Sequence, residues 1–178
     1  MSLNKTACNQ LFKLGLIGLG VTNIFATAPA LGAPSPIFEA ILDELPTSTF
    51  TVRLPAVVPT DVELYPVIQQ TRPDILVLNV DTTPECAATR CIGFNIITIP
   101  KPNAWPAPEN RLTPITPVIL GSSGIQAYTS EARGLASVEW MQDGSLYMLI
   151  YNTDLLSAED AISMANSMTT EPPVSQAP

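Results

Sequence analysis

The dipeptide Asp143-Gly144 stands between two runs of alternating apolar and polar residues, and it restricts the fold more than any other feature of the chain. Glycine adopts positive φ freely and aspartate tolerates it, so Asp-Gly in this setting specifies a two-residue type I′ hairpin. Such a loop fixes the register. Gln142 opposes Ser145, Met141 opposes Leu146, Trp140 opposes Tyr147, and Val138 opposes Leu149. One face then carries Val138, Trp140, Tyr147 and Leu149, and the other carries Met141, Leu146, Met148 and Ile150, with Glu139 among them. The second strand is apolar on both faces, so it belongs in the middle of a sheet, covered on both sides.

A helix follows. Ser157 and Asp160 form a variant capping box, and Ala161, Ile162, Ala165 and Met168 supply an apolar stripe. Residues 137–168 therefore read as one packing unit of hairpin and capped helix. The remaining "TTEPPVSQAP", residues 169–178, has the composition of a disordered tail.

Upstream, Ser35 and Pro36 open a helical pattern in which Ile37, Phe38, Ile41, Leu42 and Leu45 recur at helical spacing until Pro46. Phe50, Val52 and Leu54 alternate within "TFTVRLPAVVP", the pattern of a half-buried strand. Residues 62–70 are extended, with Pro66 placing them at an edge or a bend. "DILVLNVDT" and "CIGFNIITI" are strong strands that pair as a hairpin. Residues 100–117 hold six prolines, which forbid a central strand and favour polyproline geometry. Trp105 lies within them, as an exposed binding element or, the commoner arrangement, folded back over the core. "GSSG", residues 121–124, lacks the lysine of a phosphate loop and reads as a turn.

The N-terminus predicts an address. Lys5 and Lys13 precede an apolar run at residues 14–26, and small residues follow it. This describes a secretory signal peptide over residues 1–30, with Ala28 and Ala30 framing a cut that avoids Pro29 and Pro34. The alternative is an uncleaved membrane anchor, and only then would the protein contact a membrane. The run is short for a span, which takes roughly 20 residues. A single domain, residues 31–168, follows, in the periplasm or outside the cell. In that compartment Cys86 and Cys91 read as a disulfide, with a metal pair or a redox couple as alternatives.

The hairpin and helix resemble the C-terminal signature of an uncharacterised family of bacterial extracytoplasmic domains. Trp140, Gly144, Tyr147, Leu156, Ser157, Glu159, Ala165 and Ser167 fit the pattern, while Asp160 and Ala161 stand where that signature has Glu and Leu. The middle of the chain resembles secreted bacterial proteins with paired Leu-Pro steps and Cys-x4-Cys-x-Gly, here Leu54-Pro55, Val58-Pro59, Cys86, Cys91 and Gly93. Val58 departs from that pattern. The resemblance covers roughly residues 35–168. It implies an α+β fold: a curved, half-barrel-like antiparallel sheet with an N-terminal and a C-terminal helix. It implies nothing about activity.

Composition narrows the function. The chain of 178 residues carries a net charge of −8 and no histidine. Nucleic-acid binding needs clustered Lys and Arg, and these are sparse. Triads, Cys-His pairs and His-ligated metals are excluded, and no cofactor is implied. The sixteen carboxylates include no flagged glycosidase pair. The expectation is a non-catalytic envelope domain that binds a protein partner or an apolar ligand on a concave face beneath the helix. Trp105, Trp140 and Tyr147 are its candidate surface residues. The alternatives are a structural or stress-related secreted domain and an enzyme with an unrecognised carboxylate site.

Overall fold

The structure, a computed structural model, describes residues 32–45, 51–72, 74–85, 91–105, 113–121 and 123–174. The expected signal peptide, Phe50 and Cys86 lie outside these residues.

Seven strands form one open antiparallel sheet: β1 (Tyr65–Arg72), β2 (Ile75–Asp81), β3 (Ile92–Pro100), β4 (Thr116–Leu120), β5 (Ile125–Ala132), β6 (Leu135–Gln142) and β7 (Ser145–Asn152). Their spatial order is β1-β2-β3-β7-β6-β5-β4. Two meanders, β1 to β3 and β4 to β7, thus meet at the β3–β7 pair. β7 is the central strand, which is why its residues are apolar on both faces. Pro66 and Pro117 fall on the two edge strands, where a missing N–H costs no ladder bond.

The hairpin register is the one the turn demands: Trp140 opposes Tyr147 and Gln142 opposes Ser145. Asp143 and Gly144 have φ of 51° and 76°, the type I′ signature. A second turn of this kind joins β5 to β6 through Arg133 and Gly134, at φ of 54° and 78°. It lacks the Asn or Asp that usually announces such a turn, so the sequence does not advertise it.

One face of the sheet is the core. Leu76, Leu78, Val80, Phe94, Ile96, Val138, Trp140, Tyr147 and Leu149 are buried on it. The helix α1 (Ala158–Thr170) packs against β4, β6 and β7 through Ala161, Met164, Ala165 and Met168. Ser157 and Asp160 close the capping box that the sequence predicts. Trp140 and Tyr147 are stacked, with centroids 5.4 Å apart and planes at 13°.

Three expectations change. The N-terminal segment is not an α-helix. Pro36–Glu44 winds as a 3₁₀ helix, and Ser35 makes no side-chain cap but donates its N–H to Pro55 O at 2.8 Å. In 3₁₀ geometry residues three apart share a side, so Phe38 and Ile41 both turn to the core.

Residues 51–60 are extended but belong to no strand. Val52, Arg53, Leu54 and Pro55 are buried in succession, so the segment is covered on all sides rather than alternating. Its backbone is satisfied outside a ladder. Thr51 O accepts from the Tyr147 hydroxyl at 2.7 Å, Ser167 Oγ accepts from Ala56 N–H at 3.1 Å, and Val52 O accepts from Val174 N–H at 2.9 Å.

The tail expected from Thr169 onward is ordered at its start. α1 runs to Thr170, and Val174 packs against the core. Both changes share one cause, Arg53. Its guanidinium donates to the helix carbonyls Met168 O at 3.1 Å and Glu171 O at 2.6 Å. It also donates to Asp143 Oδ2 from Nε at 3.0 Å and Nη2 at 2.8 Å. One buried arginine thus serves Met168 O and the C-cap carbonyl of Glu171, beside Gln142 Nε2, which donates to Thr169 O, and it ties this end of α1 to the hairpin turn. Burial beside this clamp pushes the Tyr147 phenol up to about 12. The Arg53 charge opposes the rise and Asp143 adds to it.

Candidate functional site

The 3₁₀ segment and α1 bury Phe38, Ile41, Met164 and Met168 on the core side of the sheet, and the reverse face is the other side. Successive strand residues point to opposite faces, so Val77, Asn79, Asn95, Ile97, Ile99, Glu139, Met148 and Ile150 stand here. The polar ones run as a ladder: Asn95 Nδ2 donates to Asn79 Oδ1 at 2.7 Å. The rest of the central strands is aliphatic. Ile97, Ile99, Met148 and Ile150 are half-buried, while Leu135 and Ile119 are 49% and 62% exposed.

The chain leaving β3, residues 101–105, runs onto this face. It leaves Pro100, next to β7, and must reach the far edge of the sheet. Lys101 N–H fixes its start by donating to Gly144 O at 2.9 Å. Trp105 then lies over β5 and β6. Its indole meets Tyr128 edge-on, with centroids 5.3 Å apart and planes at 82°. Its Nε1–H donates to Glu139 Oε2 at 3.4 Å. Tyr128 and Glu139 are cross-strand partners, so the strand register places both beneath one indole.

Beside this contact is a hollow of about 270 Å³ lined by Ser130, Ala132, Leu135, Ser137, Glu139 and Ile150. Ser130 and Ser137 oppose each other, with hydroxyls 2.9 Å apart. Ser137 Oγ–H donates to Glu139 Oε1 at 3.4 Å. The hollow is therefore lined by both polar and aliphatic side chains. A second depression, of about 320 Å³, is lined by Thr116, Thr129, Glu131 and Tyr151 near the start of α1. Burial, and then the Glu131 charge, raise the Tyr151 phenol above its ordinary range. Each hollow has a single carboxylate in its lining.

The three candidate aromatic residues are not brought together. Trp140 and Tyr147 are fully buried on the core face, so neither offers a surface to a partner. Trp105 does fold back, but onto the reverse face. Cys91 stands at the start of β3, where its carbonyl accepts from Thr82 N–H at 2.7 Å and Thr82 Oγ1–H at 3.1 Å, closing the loop that contains Cys86. The space beneath α1, the expected ligand site, is filled by the chain's own Trp140, Leu149, Met164 and Met168.

Sequence reasoning passes over Ser137, Tyr128 and Arg53. It places Glu139 on an apolar face without giving it a role. A lone charge inside a strand that neighbours a doubly apolar strand is the available signal. Among the described residues, no three His, Cys, Asp or Glu side chains gather as a metal site, and no helix is long and apolar enough to cross a membrane. No protein family, no curated protein and no solved structure matches the chain.

Proposed function

We propose that this is a non-catalytic, extracytoplasmic binding domain that holds a protein partner or an apolar ligand on the reverse face of its sheet. The observation that carries the reading is the aliphatic field of Ile97, Ile99, Met148 and Ile150, which lies outside the core and continues into the hollow at Glu139. Concave, mainly apolar sites with a few convergent polar groups are the usual form of a binding site. The chain has no histidine to take the proton of a serine, and this supports a non-catalytic role.

The extracytoplasmic setting rests on the N-terminal signal pattern and on the resemblance of residues 137–168 to envelope domains. An intact mass that starts at Leu31 would support it, and so would an absence of thiol labelling of unreduced, denatured protein, as a Cys86–Cys91 bond requires. Half-barrel curvature is part of the same reading. The register shifts at Ile68/Gln70 and Val80/Asp81 support it, because bulges bend strands.

The test is a photo-crosslinking side chain placed at Ile97 or Met148 in cells. A discrete adduct from both positions, with none from Glu159 on the exposed side of α1, supports the reading. No adduct at either position contradicts it.

A further inference from the structure

We infer that the hollow at the start of α1 binds a compact neutral polyol, such as one sugar ring, through a pair of neighbouring hydroxyls. It opens on the α1 side of the sheet, apart from the reverse face, and neither site depends on the other. Three cross-strand partners build it. Glu131 on β5 opposes Ala136 on β6, and Ala136 opposes Tyr151 on β7. All three line the hollow of about 320 Å³. The small Ala136 leaves the space, and the longer side chains flanking it are a carboxylate and a phenol.

Tyr151 points to a ligand. It is only 3% exposed, and among the described residues its hydroxyl has no hydrogen-bond partner. That oxygen is not among the sealed polar atoms, so the small part of the side chain left open includes it, and the hollow is what it opens to. A nearly buried hydroxyl without a partner costs free energy that a bound oxygen recovers. Burial and the Glu131 charge hold the proton on the phenol, so it donates as well as accepts. Thr116 and Thr129 oppose each other across β4 and β5 and bring two more hydroxyls to the lining. Ala158, the first residue of α1, is also there, where the opening amides of a helix lack partners within it.

This mixture disfavours a charged ligand. An anion meets Glu131 in the lining and Glu159 and Asp160 in the first turn of α1. A cation finds one carboxylate, beside the positive end of a helix dipole. A vicinal diol suits it better, since two hydroxyls can donate to the oxygens of Glu131 and still accept from the phenol. The volume is at the small end of ligand sites, the size for one ring.

The test is an amide chemical-shift titration of the whole protein with the methyl α-glycosides of glucose, galactose and mannose. myo-Inositol is a parallel arm, and cyclohexanol and inorganic phosphate are controls. The expected result is saturable shifts at Ala136, Tyr151 and Ala158 with at least one polyol, bound at least about tenfold tighter than cyclohexanol, which offers a single hydroxyl. Tyr151→Phe, which keeps the packed ring, should weaken binding at least about fivefold, and Glu131→Gln, at an exposed position, at least about tenfold, because a charged acceptor is the stronger one. Both variants should melt with the parent. Binding of glycosides alone assigns the site to sugar residues of a glycan, and binding of inositol as well assigns it to free polyols. No saturable shift with any polyol overturns the inference. So do equal binding of cyclohexanol, tighter binding of phosphate, and an affinity unchanged in both variants. The reverse face is read by its own crosslinks, so the proposed function stands or falls separately.

Discussion

On the face toward α1, Val138, Trp140, Tyr147 and Leu149 are closed to water. On the reverse face of the same two strands, Met148 and Ile150 remain half-buried and Glu139 borders a hollow. Both sets are mainly apolar. Among the described residues they differ in what lies over them: a capped helix and an arginine-clamped segment on one side, and the Trp105 indole on the other. Apolar content therefore does not tell a sealed face from a more open one. Closure by another element does.

Changes on the two faces should have unequal consequences, and the largest concerns Trp140. Trp140→Ala empties a fully buried site and should cost about 3–5 kcal/mol, a large share of a typical ~5–15 kcal/mol. Denaturant unfolding measures this. A variant as stable as the parent would erase the distinction between the faces.

Alkaline pH probes the same face without mutation. The Tyr147 phenol is pushed up to about 12 by burial, against about 10 for an ordinary tyrosine. Its folded pKa is raised, so its contribution is complete below pH 10 and is lost as pH rises toward 12. The loss should be about 2–3 kcal/mol. Stability measured across this window should fall in the parent and stay flatter in Tyr147→Phe.

Arg53→Met should cost about 2 kcal/mol. It strips charge-assisted bonds from two helix carbonyls, while Asp143 is exposed enough for water to screen its lost partner. Arg53→Lys should recover less than half, since an ammonium lacks the planar fork that serves three acceptors. Amide exchange at Val174 should rise in both variants if Arg53 holds the tail down.

Ser157→Ala should cost about 1 kcal/mol through the lost cap, read as a small drop in midpoint. The smallest effect belongs to the reverse face. Met148→Gln should change stability by no more than about 0.5 kcal/mol and yet lower crosslinking or ligand capture there. A large loss of stability from Met148→Gln would show that this face is core.

The sequence alone determined what depends on neighbours along the chain. Asp143-Gly144 set a turn, the turn set a register, and the register set which side chains share a face. Ser157 and Asp160 set a helix start by bonds within one turn. Pro66 marked an edge or a bend because a missing N–H cannot sit in a central ladder. Tertiary structure decided the rest. Val52 and Leu54 alternate like a strand, but the segment's backbone, at Thr51, Val52 and Ala56, is claimed by Tyr147, Val174 and Ser167, which are far away in sequence. Arg53 reads as the polar side of that strand until α1 ends beside it. Trp140 and Trp105 have the same composition-level credentials. One is sealed between β6 and α1, while the other lies over Glu139 on the opposite face, because the chain turns onto that face as it leaves β3 at Lys101.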